Sequence, residues 1–207
     1  MSTVGQTTFV VDDDASVLKA LGRLLRSAGY DARTFSSAQD FLAAHDPDVP
    51  GCAVFDLSMP GFDGLQLQEK LTCDGIARPI IFLTGNGSIP LSVKAMKGGA
   101  VDFLTKPVNR EKLLSAITHA LEVDATSRQE QDERKAVRCK LDKLTPRERE
   151  VLIHVIAGRL NKQIAAELGT VEKTVKVHRG RVMSKLGVRS VAELVRLTER
   201  AGLMPQL

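Results

Sequence analysis

Over the first 120 residues, short apolar runs alternate with segments whose apolar residues recur at helical spacing. Thr8-Phe9-Val10-Val11 is a β-rich run. Ala15 to Ser27 places Val17, Leu18, Leu21, Leu24 and Leu25 on one helical face, and Gly29 ends it. Ala32 to Phe35 forms a short strand. Ser37 to Ala44 reads as a helix, with Ser37 and Asp40 as a capping pair. Cys52 to Phe55 is an apolar strand, Leu65 to Leu71 a helix, and Pro79 to Leu83 the most apolar strand. Ile89 to Lys97 is helical and stops at Gly98-Gly99. Asp102 to Thr105 makes a fifth strand. Glu111 to Glu122 makes a fifth helix, with Leu113, Leu114, Ile117 and Leu121 at helical spacing.

Five strand–helix units in series predict an α/β fold, a doubly wound five-stranded parallel sheet covered by helices on both faces. Strands buried on both faces read as continuous apolar runs, as Ile80 to Leu83 does. Ligands of such sheets bind at the carboxyl ends of the strands.

The pattern changes after Glu122. Val123 to Lys140 is rich in charge and in Ser, Thr and Gln, with few large apolar residues. It reads as an exposed linker or as a continuation of the fifth helix. From Leu141 the chain is purely helical. Thr145 caps a helix, Pro146 fits its first position, and Glu148 closes a capping box. Leu152, Ile153 and Ile156 follow on one face, and Gly158 ends the helix. Asn161 to Leu168 is short and stops at Gly169. Val171 to Leu186 stops at Gly187, and Ser190 to Arg200 is the last helix. Two short helices joined by a tight glycine turn are the local signature of a helix-turn-helix. The division is therefore residues 1–122, a linker at 123–140, and an all-α domain at 141–207.

Charge sharpens this division. Net charge is +4, but Leu141 to Leu207 carries 13 Lys and Arg against 7 Asp and Glu, while the remainder carries 16 against 18. A basic half points to a polyanion partner. No apolar run is long enough to span a membrane, and no secretion signal opens the chain, so the cytoplasm is the expected compartment and no membrane partner is expected. Cys52, Cys73 and Cys139 lack metal spacing and read as reduced thiols.

Candidate chemistry gathers at the strand ends. Asp12 and Asp13 follow the first strand and Asp56 follows the third, so the three carboxylates share one rim. Their repulsion is relieved by a hard cation, and Mg²⁺ prefers such oxygen ligands. A cation there also neutralises an incoming phosphoryl group, with Asp56 as nucleophile forming an acyl phosphate. Thr84 follows the fourth strand and Lys106 the fifth, where hydroxyl and ammonium can hold phosphoryl oxygens. Any one of these is commonly a helix cap or a surface residue, and Asp14 reads as a cap. Five on successive strand ends are not readily explained so.

Val11-Asp12-Asp13, the run Phe55-Asp56-Leu57-Ser58-Met59-Pro60-Gly61-Phe62-Asp63-Gly64, Leu83-Thr84-Gly85 and Lys106-Pro107 together resemble the signature of two-component receiver domains, over roughly residues 6 to 122. The resemblance implies a flavodoxin-like fold, Asp56 as phospho-acceptor, and Mg²⁺ held by Asp13, Asp56 and the Ser58 carbonyl, with Asp12 acting through water. It implies Thr84 and Phe103 as a switch pair, a cis bond before Pro107, and a sensor histidine kinase as phosphoryl donor.

Leu144 to Leu152, Asn161-Lys162-Gln163-Ile164-Ala165 and Thr174-Val175-Lys176-Val177-His178 resemble LuxR-type helix-turn-helix domains, over about residues 141 to 203. The whole chain is thus similar to response regulators of the NarL/FixJ family, nearest the FixJ branch. Val171, Val175, Val182 and Leu186 are expected to face the core, leaving Lys173, Lys176, Arg179 and Arg181 largely on other faces. The resemblance places Thr174, Lys176 and Val177 in the major groove, with Asn161 and Lys162 on phosphates of double-stranded DNA. Lys173 and Arg181 join the candidate contacts. His178 reads equally as a phosphate ligand or as a residue satisfied within the fold. Gly180 departs from a good helix, costing about 1 kcal/mol relative to Ala. Homodimerisation on phosphorylation, transcription activation and an RNA polymerase contact are what the resemblance implies.

Three readings compete with a switched regulator. One is a small helical dimerisation bundle in place of the DNA module. Another is a phosphatase, because Val10 to Ser16 also resembles the opening of haloacid-dehalogenase-like enzymes, with Asp12 as nucleophile and Asp14 as acid. The order of Asp56, Thr84 and Lys106 fits the receiver better, so no enzyme is expected. The third is a DNA binder with a vestigial receiver, against which the intact acidic set argues.

Overall fold

The computed structural model describes residues 5–85, 89–200 and 202. The chain divides into two compact units, Met1–Arg128 and Gln129–Leu207.

The first unit alternates strand and helix. Its strands are β1 (Thr7–Val11), β2 (Asp31–Phe35), β3 (Gly51–Asp56), β4 (Ile80–Thr84) and β5 (Asp102–Thr105). Its helices are α1 (Ala15–Ser27), α2 (Ala38–Ala44), α3 (Gly64–Cys73), α4 (Ile89–Lys97) and α5, which runs from Arg110 to Asp142. The strands pair in the order β2-β1-β3-β4-β5, all parallel. Order reverses between β1 and β3, and a crevice opens at the carboxyl ends of such a pair.

Strand alternation feeds two cores. Phe9, Val11, Ala53, Phe55, Ile80 and Phe82 pack with residues of α2, α3 and α4. Val10, Cys52, Val54, Ile81 and Leu83 point the other way and pack with α1 and α5. This is why the central strands carry no polar face. Ser37 caps α2 by accepting from the Asp40 amide, so that helix begins one residue later than the sequence pattern predicts. Asp14 caps α1 as expected. Cys52 is buried, whereas Cys73 and Cys139 are exposed.

The second unit holds α6 (Pro146–Ile156), α7 (Asn161–Glu167), α8 (Glu172–Leu186) and α9 (Val191–Arg200) around Val151, Leu152, Val155, Ile164, Val175, Val182, Leu186 and Leu194. The Thr145–Glu148 capping box forms as predicted. Its glutamate is buried because it also accepts from Lys185 Nζ at 2.6 Å. One expected core position, and one member of a predicted apolar face, are not buried. Val171 is 64% exposed, because it precedes α8 as its N-cap, and Ile153 is 55% exposed on the outer side of α6.

Segment 123–140 is helical. It belongs to α5, which continues past the predicted end at Glu122. Within the first unit, buried Asp124 accepts from the Gly51 amide at 2.8 Å and from Arg128 Nε at 2.9 Å. Arg128 also donates to the carbonyls of Pro47, Asp48 and Val49. In the second unit Val137 and Leu141 pack on the core.

Candidate functional site

The acidic set lies at the switch point of the sheet. Asp12 follows β1 and Asp56 ends β3, so pairing of these strands brings both to one rim. One carboxylate oxygen from each of Asp12, Asp13 and Asp56 lies within 4.8 Å of the others. Asp12 and Asp56 are buried, while Asp13 is exposed. Lys106 arrives from the end of β5 and bridges the buried pair, with Nζ at 2.6 Å from Asp12 Oδ2 and 2.8 Å from Asp56 Oδ1. The remaining oxygens are held too: Asp12 Oδ1 accepts from the Asp14 amide and Asp56 Oδ2 from the Ser58 amide.

Electrostatics follow from the placement. Burial pushes the Asp12 carboxyl up, despite the opposing hydrogen bond from Lys106. Burial works against the Lys106 ammonium, but its bonds to Asp12 and Asp56 prevail and raise it. One ammonium faces three carboxylates, so negative charge remains in excess. An all-oxygen set with one exposed member suits a hard divalent cation that keeps its waters, as Mg²⁺ does.

Neighbouring elements fix this geometry. Asp63 caps α3 in a capping box with Gln66. Gly64 opens that helix against the acidic strand, and a Cβ there would stand 2.4 Å from the Asp56 carbonyl oxygen. Only glycine permits this approach. Thr84 ends β4 fully buried, and its carbonyl accepts from the Lys106 amide at 2.7 Å. Phe103 pairs with Phe82 in register, is half-buried, and packs on the core that includes Ala95 of α4. The Lys106–Pro107 bond is cis, as the resemblance implies.

In the second unit, α7 and α8 form the paired helices. Val175, Val182 and Leu186 are buried. Lys173, Lys176, Val177, Gly180 and Arg181 are exposed on the far side of α8, and Thr174 is half-buried. Lys162 is exposed on α7. Asn161 is half-buried, and its Oδ1 accepts from Arg179 Nη1 at 3.1 Å, so it braces the two helices. His178 is half-buried, and among the described residues its buried Nδ1 has no hydrogen-bond partner. The fold therefore leaves this ring partly unsatisfied, against one of its two predicted readings.

Residues 8–118 match the response regulator receiver domain family, and residues 142–198 match bacterial regulatory proteins of the luxR family. Nodulation protein W of Bradyrhizobium diazoefficiens is 46% identical over 195 residues, which cover 94% of this chain and 86% of the relative. Transcriptional regulatory protein FixJ of the same organism is 40% identical over 204 residues, 99% of each chain. The solved structure of response regulator StyR matches with a TM-score of 0.83 at 48% identity, covering 95% of this chain and 100% of StyR. The chain belongs to the transcriptional response regulators with a LuxR-family DNA-binding domain. Response regulators of this family are not enzymes, which removes the phosphatase reading, and the luxR match removes the plain dimerisation bundle.

The response regulator's sequence-predicted residues fall into two groups. Asp12, Asp13, Asp56, Lys106 and Thr84 share the strand-end rim, with Ser58 two residues beyond Asp56, whereas the α7 and α8 residues belong to the second unit. Sequence reasoning missed a cluster in the receiver unit around Arg78. This buried guanidinium donates to His45 Nε2, to the carbonyls of Asp46, Val49 and Gly51, and lies 4.8 Å above the Phe9 ring. Burial, with the adjacent Arg78 charge, brings the His45 imidazole down to about 4. No local motif marks these residues, since most of the partners are backbone carbonyls.

Proposed function

We propose that Asp56 is the phospho-acceptor of this response regulator, and that its modification controls dimerisation and DNA binding by the second unit. The observation that carries this reading is the Lys106 bridge between Asp12 and Asp56 beside Asp13. Asp56 Oδ1, once Lys106 lets it go, attacks phosphorus of a phosphohistidine on a sensor kinase. The P–N bond breaks, the imidazole leaves, and an acyl phosphate forms. Asp12, Asp13, Asp56 and the Ser58 carbonyl would hold Mg²⁺, which supplies positive charge for the transferring oxygens. Lys106 exchanges its bond to Asp56 for one to the phosphoryl group, and the Thr84 hydroxyl takes another of its oxygens.

Movement of Thr84 frees space for Phe103, which sits half-buried one strand away and packs beside α4. The surface of α4 and β5 repacks, shifting a population between two states. The functional boundaries are a receiver at 1–122, a helical linker at 123–140 and the DNA-binding domain at 141–207. On duplex DNA, Thr174, Lys176 and Val177 meet base edges, while Lys162, Lys173, Arg181 and His178 serve phosphates and Asn161 acts at their margin. Activation through RNA polymerase, in the cytoplasm, is the expected output. Among the described residues no helix is long and apolar enough to cross a membrane.

Light scattering tests the switch. Beryllofluoride with Mg²⁺ should convert the wild-type monomer to a dimer and leave Asp56→Asn monomeric. Dimerisation of both proteins would reject Asp56 as the control point, and no change in either would remove dimerisation as its output.

A further inference from the structure

Gly180 stands in the interior of α8, where glycine is the poorest helix former after proline. Such a residue is usually explained by crowding or by an unusual backbone angle. Neither applies: its φ is not positive, and among the described residues a Cβ built there would meet nothing within 4 Å. The described residues therefore give no reason for the missing side chain.

Position supplies one. Gly180 follows Lys176 by four residues and Val177 by three, so it continues their strip along the helix. Lys176, Val177, Gly180 and Arg181 are all exposed, while Val175 and Val182 hold the opposite side in the core. The gap thus lies in the surface assigned above to duplex DNA. An absent contact does not by itself explain it. Alanine would also offer no polar group to a base, and would keep the helix better formed. What alanine could not give is approach of a ligand to the helix main chain, the use for which glycine is suited.

We propose that Gly180 is a specificity-determining notch, into which an edge of the major groove of double-stranded DNA fits against the backbone of α8. This rests on the DNA-binding reading. A methyl group at 180 holds the groove away, loosens the contacts of Lys176 and Val177 on the same strip, and so weakens the preferred sequence more than others.

The test uses the full chain activated with beryllofluoride and Mg²⁺. A preferred duplex is first selected from a randomised pool with wild type. Gly180→Ala should then bind that duplex about tenfold more weakly, with little change on an unrelated duplex, while its melting temperature rises by a few degrees. Unchanged or tighter binding by the more stable variant would overturn the notch. A variant that loses melting temperature and affinity together would also overturn it, since the glycine would then serve the fold. A wild type that enriches no duplex, with Lys176→Ala equally inert, would instead remove the DNA-binding reading of this face.

Discussion

His45 accepts from the Arg78 guanidinium, so protonating the ring sets two cations side by side in a partly buried place. Its folded value of about 4 lies below the ordinary 6.5. A depressed imidazole favours folding while it is neutral. That stability is fully present above pH 6.5 and is lost as pH falls toward 4, by about 2 kcal/mol once partial exposure of the ring is allowed for. His45→Gln keeps an acceptor for Arg78 and removes the titration, so denaturant unfolding across this window should show a shallower acid loss. An identical slope in the variant would assign the acid sensitivity elsewhere. The contrast with Asp12, Asp56 and Lys106 shows what is legible at this scale. Those residues each stand at the carboxyl end of a strand, which is a local property of sequence. Arg78 and His45 lie 33 positions apart and are joined by folding alone.

Among elements, the ends of strands and short helices fell within a residue or two of their patterns, because glycines and caps mark them. The extent of α5 did not. After Arg128 its exposed residues are mostly polar, so hydrophobic periodicity gives no signal there. Its supports are of another kind: Asp124 and Arg128 clamp the loop before β3, Glu130 and Arg134 pair at 3.7 Å, and Val137 and Leu141 reach a core. The Gly51 amide donates to the buried Asp124 Oδ2. Asp124→Ala should cost about 1–3 kcal/mol in denaturant unfolding, with Asp124→Asn milder. Hydrogen exchange at Gly51 should speed up in the alanine variant. Native exchange there would show that another group holds the amide. The misplacement of Val171 and Ile153 has a related origin, since both fit a helical stripe but sit where it meets solvent.

For the whole molecule, the basic excess belongs to the DNA-binding half, and its consequence is ionic. Each phosphate neutralised releases counterions, so affinity falls with salt roughly in proportion to the contacts made. Lys162→Ala should weaken all duplexes alike and reduce the slope of log affinity against log salt by about 1. Lys176→Ala should instead flatten the preference among sequences. Fluorescence anisotropy across a salt series separates the two, and an unchanged slope for Lys162→Ala would take that lysine off the phosphates.

The thiols carry a practical consequence. Cys52 is enclosed and its thiol is pushed up to about 12, so almost none of it is thiolate at neutral pH. Cys73 and Cys139 are open to solvent, one in each compact unit. Maleimide dyes should therefore label the native chain at two sites and spare the third. The unaltered protein thus offers a donor–acceptor pair for energy transfer, with which the response of one unit to chemistry at Asp56 can be watched from the other in real time.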